Sequence, residues 1–152
     1  MKVTIPYTPR KQQAFIHKEL DKHRFSVLCC HRRFGKTVML INHLIKCCMM
    51  NKNHQPRFAY IAPTYSQAKK IAWDYLKFYT KGLPNTKYNE TELRCDFFNG
   101  SRITLLSSEN PDSIRGIYLD GVVCDEASQI SRELIDEVIR PAIADRKGWM
   151  SL

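Results

Sequence analysis

Cys30-His31-Arg32-Arg33-Phe34-Gly35-Lys36-Thr37 lies between a short apolar run, Phe25 to Cys30, and a stretch from about Lys36 to Met50. In that second stretch Val38, Leu40, Ile41, Leu44 and Ile45 recur at helical spacing, so the local reading is strand, turn, helix. The eight residues fit G-x-x-x-x-G-K-[ST] at every fixed position but the first, where Cys30 stands for glycine. The pattern binds phosphate for physical reasons. The loop turns the backbone N–H groups of Cys30 to Lys36 inward on an anion, and the helix N-terminus adds a positive field. Gly35 lets the backbone approach the phosphates, Lys36 reaches the β- and γ-phosphates, and Thr37 offers its hydroxyl to Mg2+. ATP with Mg2+ is the ligand implied. An ordinary strand–turn–helix with a chance Gly-Lys-Thr is the plainer alternative.

Val122-Val123-Cys124-Asp125-Glu126 is a second apolar run, and it ends on two carboxylates. A parallel sheet would bring that end beside the phosphate loop. Asp125 is then expected in the Mg2+ shell, and Glu126 as the general base that polarises an attacking water. Alternation along a strand sends the two side chains in different directions, which suits two roles. The alternative is an acidic cap on the helix that follows. The two motifs together, in this order, point to the additional-strand P-loop NTPases rather than to kinases.

The remaining chain supplies the framework. Phe15, Ile16 and Leu20 mark a helix after Pro9. Phe58 to Ala62 reads as a buried strand ended by Pro63, and Ser66 as the cap of a helix over about Gln67 to Tyr79. Ala68, Ile71, Ala72, Tyr75 and Leu76 are its expected buried face. Cys95 to Phe98 and Arg102 to Ser107 flank Asn99-Gly100 as a hairpin. Gly121 to Asp125 is the next buried strand, and a helix runs from Ser131 to about Ala144 with Leu134, Ile135, Val138 and Ile139 inward. Strands alternating with helices predict an α/β, three-layer, RecA-like P-loop NTPase domain with a mainly parallel sheet over residues 1–152. Such sheets bind ligands beyond the carboxyl ends of their strands, where both motifs fall.

Composition narrows the field. A chain of 152 residues with 43% hydrophobic and 26% charged residues can bury one core, and its apolar runs are too short for a membrane span. No apolar signal segment follows Met1. The net charge of +9 is uneven: residues 1–60 hold 12 Lys/Arg against 2 Asp/Glu, which suits a polyanionic partner. The six cysteines form no CxxC pair, which argues against zinc. Cys29, Cys30 and Cys124 sit in apolar runs and are expected as buried thiols.

Four segments in order, Arg32-Arg33-Phe34-Gly35-Lys36-Thr37, Ala62-Pro63-Thr64-Tyr65, Ile114-Arg115-Gly116 and Cys124-Asp125-Glu126-Ala127, resemble the ATPase domain of the large terminase subunit of tailed bacteriophages. In that family the first loop position is commonly not glycine and is followed by arginine. The resemblance implies an ATP-driven motor that moves double-stranded DNA into a procapsid in the host cytoplasm. It also implies a homo-oligomeric ring, a portal protein and a small terminase subunit as partners, and no membrane. By the same resemblance Arg32 acts on the nucleotide of its own subunit and Arg115 on a neighbour's. Gln12 matches the adenine-reading glutamine, with Gln13 as the alternative and Tyr7 as a stacking partner. Thr64, Lys69 and Lys70 fall where related helicases touch DNA backbone. The resemblance further implies that the chain is C-terminally incomplete, without the nuclease domain and the motif coupling hydrolysis to movement. Gly148 to Leu152 would open the strand before that motif, and the isolated piece is expected to bind nucleotide poorly and hydrolyse it hardly at all. Two other readings are a helicase-like DNA-dependent ATPase and a non-enzymatic DNA-binding or assembly fragment. DNA-stimulated unwinding would favour the first, and DNA binding indifferent to ATP the second.

Overall fold

A computed structural model describes every residue except Met1 and Val3. One seven-stranded sheet organises the chain. In sequence order its strands are β1 (Phe25–Ser26), β2 (Arg57–Ala62), β3 (Lys87–Asn89), β4 (Arg94–Asp96), β5 (Arg102–Ser107), β6 (Gly121–Cys124) and β7 (Trp149–Ser151). In space they run β1-β7-β6-β2-β5-β4-β3. The first five are parallel, and β4 and β3 add an antiparallel end. The helices are α1 (Lys11–Lys22), α2 (Lys36–Met50), α3 (65–80) and α4 (132–144).

The layers follow from alternation along the central strands. Phe58, Tyr60 and Ala62 of β2 join Val123 of β6 in the core beneath α2 and α3, while Ala59, Ile61, Val122 and Cys124 join the core beneath α4. Both faces of β2 and β6 are covered, so these strands read as continuous apolar runs. The α/β three-layer expectation holds, and β7 lies between the strand entering the phosphate loop and the strand ending in carboxylates. Gly148 to Leu152 therefore does form a strand. Gly121 makes room for it, because a Cβ there would run into the Trp149 ring.

Several local expectations are corrected. Phe25 to Cys30 is not a buried strand. Its regular part is two residues long, β7 is its one strand partner in the sheet, and Phe25, Val27 and Cys29 face outward. Cys29 is exposed and Cys30 half-buried, so of the three cysteines expected inside only Cys124 is buried. Thr64, not Ser66, caps α3: its hydroxyl accepts from the Gln67 N–H. After an α-helical start over Tyr65–Gln67, α3 widens into a π-helix over Ala68–Ala72. The wider turn advances the inward face, so Trp73 is buried and Ile71 and Tyr75 are exposed. The Asn99-Gly100 hairpin closes through a longer loop, in which the Phe97 N–H donates to Ser101 O and Gly100 takes φ +81°. The polar edge strand β3 had no apolar signal to announce it. By contrast, α2 spans the expected residues, and Ser131 caps α4 by accepting from the Leu134 N–H.

Candidate functional site

The phosphate-loop segment crosses the carboxyl edge of the sheet and enters α2. Arg33 and Gly35 take positive φ, 64° and 82°, while Cys30 does not, so the residue replacing glycine carries no backbone strain. Gly35 is the N-cap of α2 and no side chain caps it. The first-turn N–H groups thus face the cleft without a side-chain acceptor, as an anion site requires. A side chain at Gly35 would also strike the ends of Arg10 and Gln13, 2.9 and 3.0 Å from its Cβ position.

Those two residues brace the loop from α1. Arg10 donates to the Phe34 carbonyl. The Gln13 amide lies 3.3 and 3.4 Å from the carbonyls of Phe34 and Gly35, and its oxygen accepts from the Arg10 N–H. Gln13 is buried and Gln12 is exposed, so the glutamine against the loop is the one given as the alternative. The Tyr7 hydroxyl pairs with His17 Nε2 at 2.9 Å, and its ring meets Tyr79 edge-on. Tyr7 does not line the cleft.

Asp125 is the centre of the polar cluster. β6 pairs with β2 in register Tyr60↔Val123, and Asp125, two residues beyond Val123, points to the same face as Tyr60. Its Oδ1 lies 3.1 Å from Lys36 Nζ and accepts from the Glu126 N–H at 3.0 Å. Its Oδ2 accepts from the Thr37 hydroxyl at 2.8 Å and from the Tyr60 hydroxyl at 2.5 Å. Burial alone would raise the carboxyl, yet the Tyr60 and Thr37 hydrogen bonds and the Lys36 charge hold it below its ordinary value. Burial opposes the Lys36 ammonium, and Asp125 more than offsets this and raises it. Burial and the Asp125 charge push the Tyr60 phenol far up, which keeps it a donor.

Glu126 is the N-cap of a short turn in the left-handed region, φ 51° and ψ 46°, where few non-glycine residues sit. That conformation turns its side chain outward into the cleft. The cleft, about 470 Å³, is lined by the loop residues Cys30 to Thr37, by Val38 and Glu126, and by Ile71 and Tyr75. The last two were expected in the core; the π turn of α3 brings them here, and sequence periodicity carries no trace of it. A larger concavity of about 640 Å³ lies under Tyr65, Arg94 and Arg102, away from this chemistry. His31, Arg32 and Arg33 are exposed on the cleft rim. Arg115 is elsewhere, exposed beside Asp112 at 3.5 Å and lining a separate hollow with Tyr118 and Glu137. Lys69 and Lys70 are exposed on α3.

Magnesium fits the donor set. Thr37 Oγ1 and the Asp125 carboxylate are hard oxygen donors beside an anion-binding helix start, and Mg2+ takes one or two carboxylates and completes its shell with phosphate and water. Among the described residues no cluster of three or more His, Cys, Asp or Glu offers a closed metal cage.

A parallel sheet with one strand inserted between the phosphate-loop strand and the acidic strand, and with both motifs at its carboxyl edge, is the fold of the additional-strand, RecA-like P-loop NTPases. Within that class, residues 31–152 match the family described as terminase large subunit, T4likevirus-type, N-terminal, and the chain belongs to it. It is 29% identical to the large terminase subunit of Escherichia phage T5, over 90% of this chain and 32% of that protein. The large terminase ATPase domain of Thermus phage P74-26 superposes with a TM-score of 0.78 at 25% identity, over 97% of this chain and 64% of that one. The large terminase of another thermophilic bacteriophage, solved in complex with ADP, superposes with a TM-score of 0.76 at 15% identity, over 93% of this chain and 37% of that one. The chain spans about a third of the length of the curated relatives it matches. Among the described residues no helix is long and apolar enough to cross a membrane.

Proposed function

We propose that this chain is the ATP-hydrolysing motor part of a large terminase subunit, driving double-stranded DNA into a procapsid. The observation that carries the reading is the convergence of Lys36, Thr37 and Asp125 at an uncapped helix start, inside a chain of the terminase family. ATP and Mg2+ are the ligands. Thr37 and Asp125 would hold the metal, which neutralises phosphate charge when bound. Lys36, now paired with Asp125, has the charge and reach to serve the phosphates. Glu126, exposed in the cleft, is the base that takes a proton from water. Arg32 on the rim supplies positive charge to the nucleotide of its own chain, and Arg115, remote from that cleft, is available to a neighbouring copy in a ring. Gln12, exposed, remains the candidate for adenine selection with Gln13 as the alternative, although the Gln13 amide is engaged by the loop carbonyls and the Arg10 N–H; Tyr7, paired with His17, does not line the cleft. Thr64, Lys69 and Lys70, near the start of α3, would contact DNA backbone; Lys69 and Lys70 are exposed there. The portal protein and the small terminase subunit are the expected partners, and the host cytoplasm the site of action.

The test is Mg-ATP binding by thermal shift. The unaltered chain should melt higher with Mg-ATP, because a ligand selective for the native state stabilises it. Lys36→Ala, shown folded by circular dichroism, should lose that rise. A folded chain that shows none, or a variant that keeps it, would remove the basis of the proposal.

A further inference from the structure

Tyr60 is a buried phenol that neither sequence motif contains. It sits on β2, the strand hydrogen-bonded to β5 on one side and β6 on the other, and 3% of its surface is exposed. Its hydroxyl donates to Asp125 Oδ2 at 2.5 Å. Four donors converge on this carboxylate, two on each oxygen, and they differ in what else they must do. Lys36 and Thr37 line the cleft, and on the nucleotide reading above both are needed by phosphate and metal. The Glu126 N–H and the Tyr60 hydroxyl have no such second duty. On Oδ2, Tyr60 is therefore the donor that remains when Thr37 turns to a metal.

We infer that Tyr60 is a positioning residue for the metal-shell carboxylate: it fixes Oδ2 from beneath, so that Oδ1 stays turned to Lys36 and the cleft as Mg2+ and nucleotide arrive. The inference rests on the nucleotide reading. Its physical ground is general. A ligating carboxylate is oriented by its own hydrogen bonds, and removing such a partner costs about 10- to 100-fold in metal affinity. The central strand gives the phenol a fixed origin, and burial keeps it protonated.

Tyr60→Phe removes the hydroxyl and keeps the ring. ATP binding would be measured by calorimetry at stepped Mg2+ concentrations and in EDTA, for the unaltered chain, Tyr60→Phe and Lys36→Ala. The half-saturating Mg2+ concentration should rise about 10- to 100-fold in Tyr60→Phe, while affinity in EDTA changes by less than about twofold. An unchanged Mg2+ requirement, or equal losses with and without metal, overturns the inference and leaves a structural hydroxyl. The variant Tyr60→Phe/Asp125→Asn covers a failure to fold, since it also removes the buried charge that needs the donor. Folding of the double variant where the single one fails supports the pairing, and failure of both overturns it. Absence of Mg-ATP binding in the unaltered chain, or its persistence in Lys36→Ala, overturns the nucleotide reading itself.

Discussion

Two clusters of titratable side chains lean on α2, and they treat charge in opposite ways. At its first turn, Lys36, Thr37, Tyr60 and Asp125 keep an ion pair half out of water. Farther along, His43 stacks on His17 of α1 with their Nδ1 atoms 3.0 Å apart, and meets Trp149 of β7 edge-on. Burial, together with the neighbouring His17, lowers His43 from 6.5 to about 4, and burial, with Lys46, lowers His17. The first cluster holds charges with surplus donors around them, which can be handed to a ligand. The second excludes charge and joins three elements. One is a site and the other a joint, although both are buried and polar.

The sharpest way to break that division is to take the base from the first cluster's edge. Glu126→Gln should lower ATP hydrolysis about 10²- to 10⁴-fold, while Mg-ATP binding and melting temperature stay near their original values. A variant that loses binding in step with hydrolysis would make Glu126 part of the binding surface instead.

Acid separates the clusters next. A histidine whose folded value is depressed stabilises the fold above its unfolded value of 6.5, and that stability is lost as pH falls towards about 4. The full effect for His43 is about 3 kcal/mol. Asp125, also depressed, loses its contribution only below the ordinary carboxylate value of 3.8. Urea midpoints should therefore fall between pH 6.5 and 4, and His43→Leu should remove most of that slope. Persistence of the slope would place it on His17 or on the charged groups facing the pair, Asp21 and Lys46, which are the next residues to replace.

The smallest effect is expected outside both clusters. Thr64→Ala removes the cap of α3 and should cost about 1 kcal/mol, a few degrees in melting temperature. Mg-ATP affinity should be unchanged. A change in affinity would mean that the π-helical segment of α3 positions Ile71 and Tyr75 for the ligand.

The same contrast explains what could be read without coordinates. The first cluster was legible because each member except Tyr60 belongs to a motif with fixed spacing, and α2 begins where the lysine says it should. Tyr60 was hidden by its company: within Phe58 to Ala62 it looked like one more core residue, and only the register of β2 against β6 sets its hydroxyl on Asp125. The joint was illegible, because His17 and His43 are 26 positions apart and neither falls in a pattern. Helical periodicity also misled where the helix was not α. With 3.6 residues per turn assumed, Ile71 and Tyr75 belong inside, and the wider turn puts Trp73 there instead. The run from Phe25 misled in another way, since apolar residues at a sheet edge look like those at its centre. The phosphate-loop fold was thus readable from spacing, and the brace of Arg10 and Gln13 behind it was not, because no motif ties those residues to the loop carbonyls they support.

Trp149 also makes the joint optically addressable. The chain has two tryptophans, and the other, Trp73, donates its indole N–H to Glu90 at 2.6 Å, away from the histidine pair. Trp149 has its ring centroid 5.3 Å from His43, and an imidazolium at that distance quenches indole emission. Loss of emission from Trp149 on acidification would follow the proton onto His43. Emission from Trp73 would stay as an internal reference, and no dye would be needed to watch the strand beside the phosphate loop.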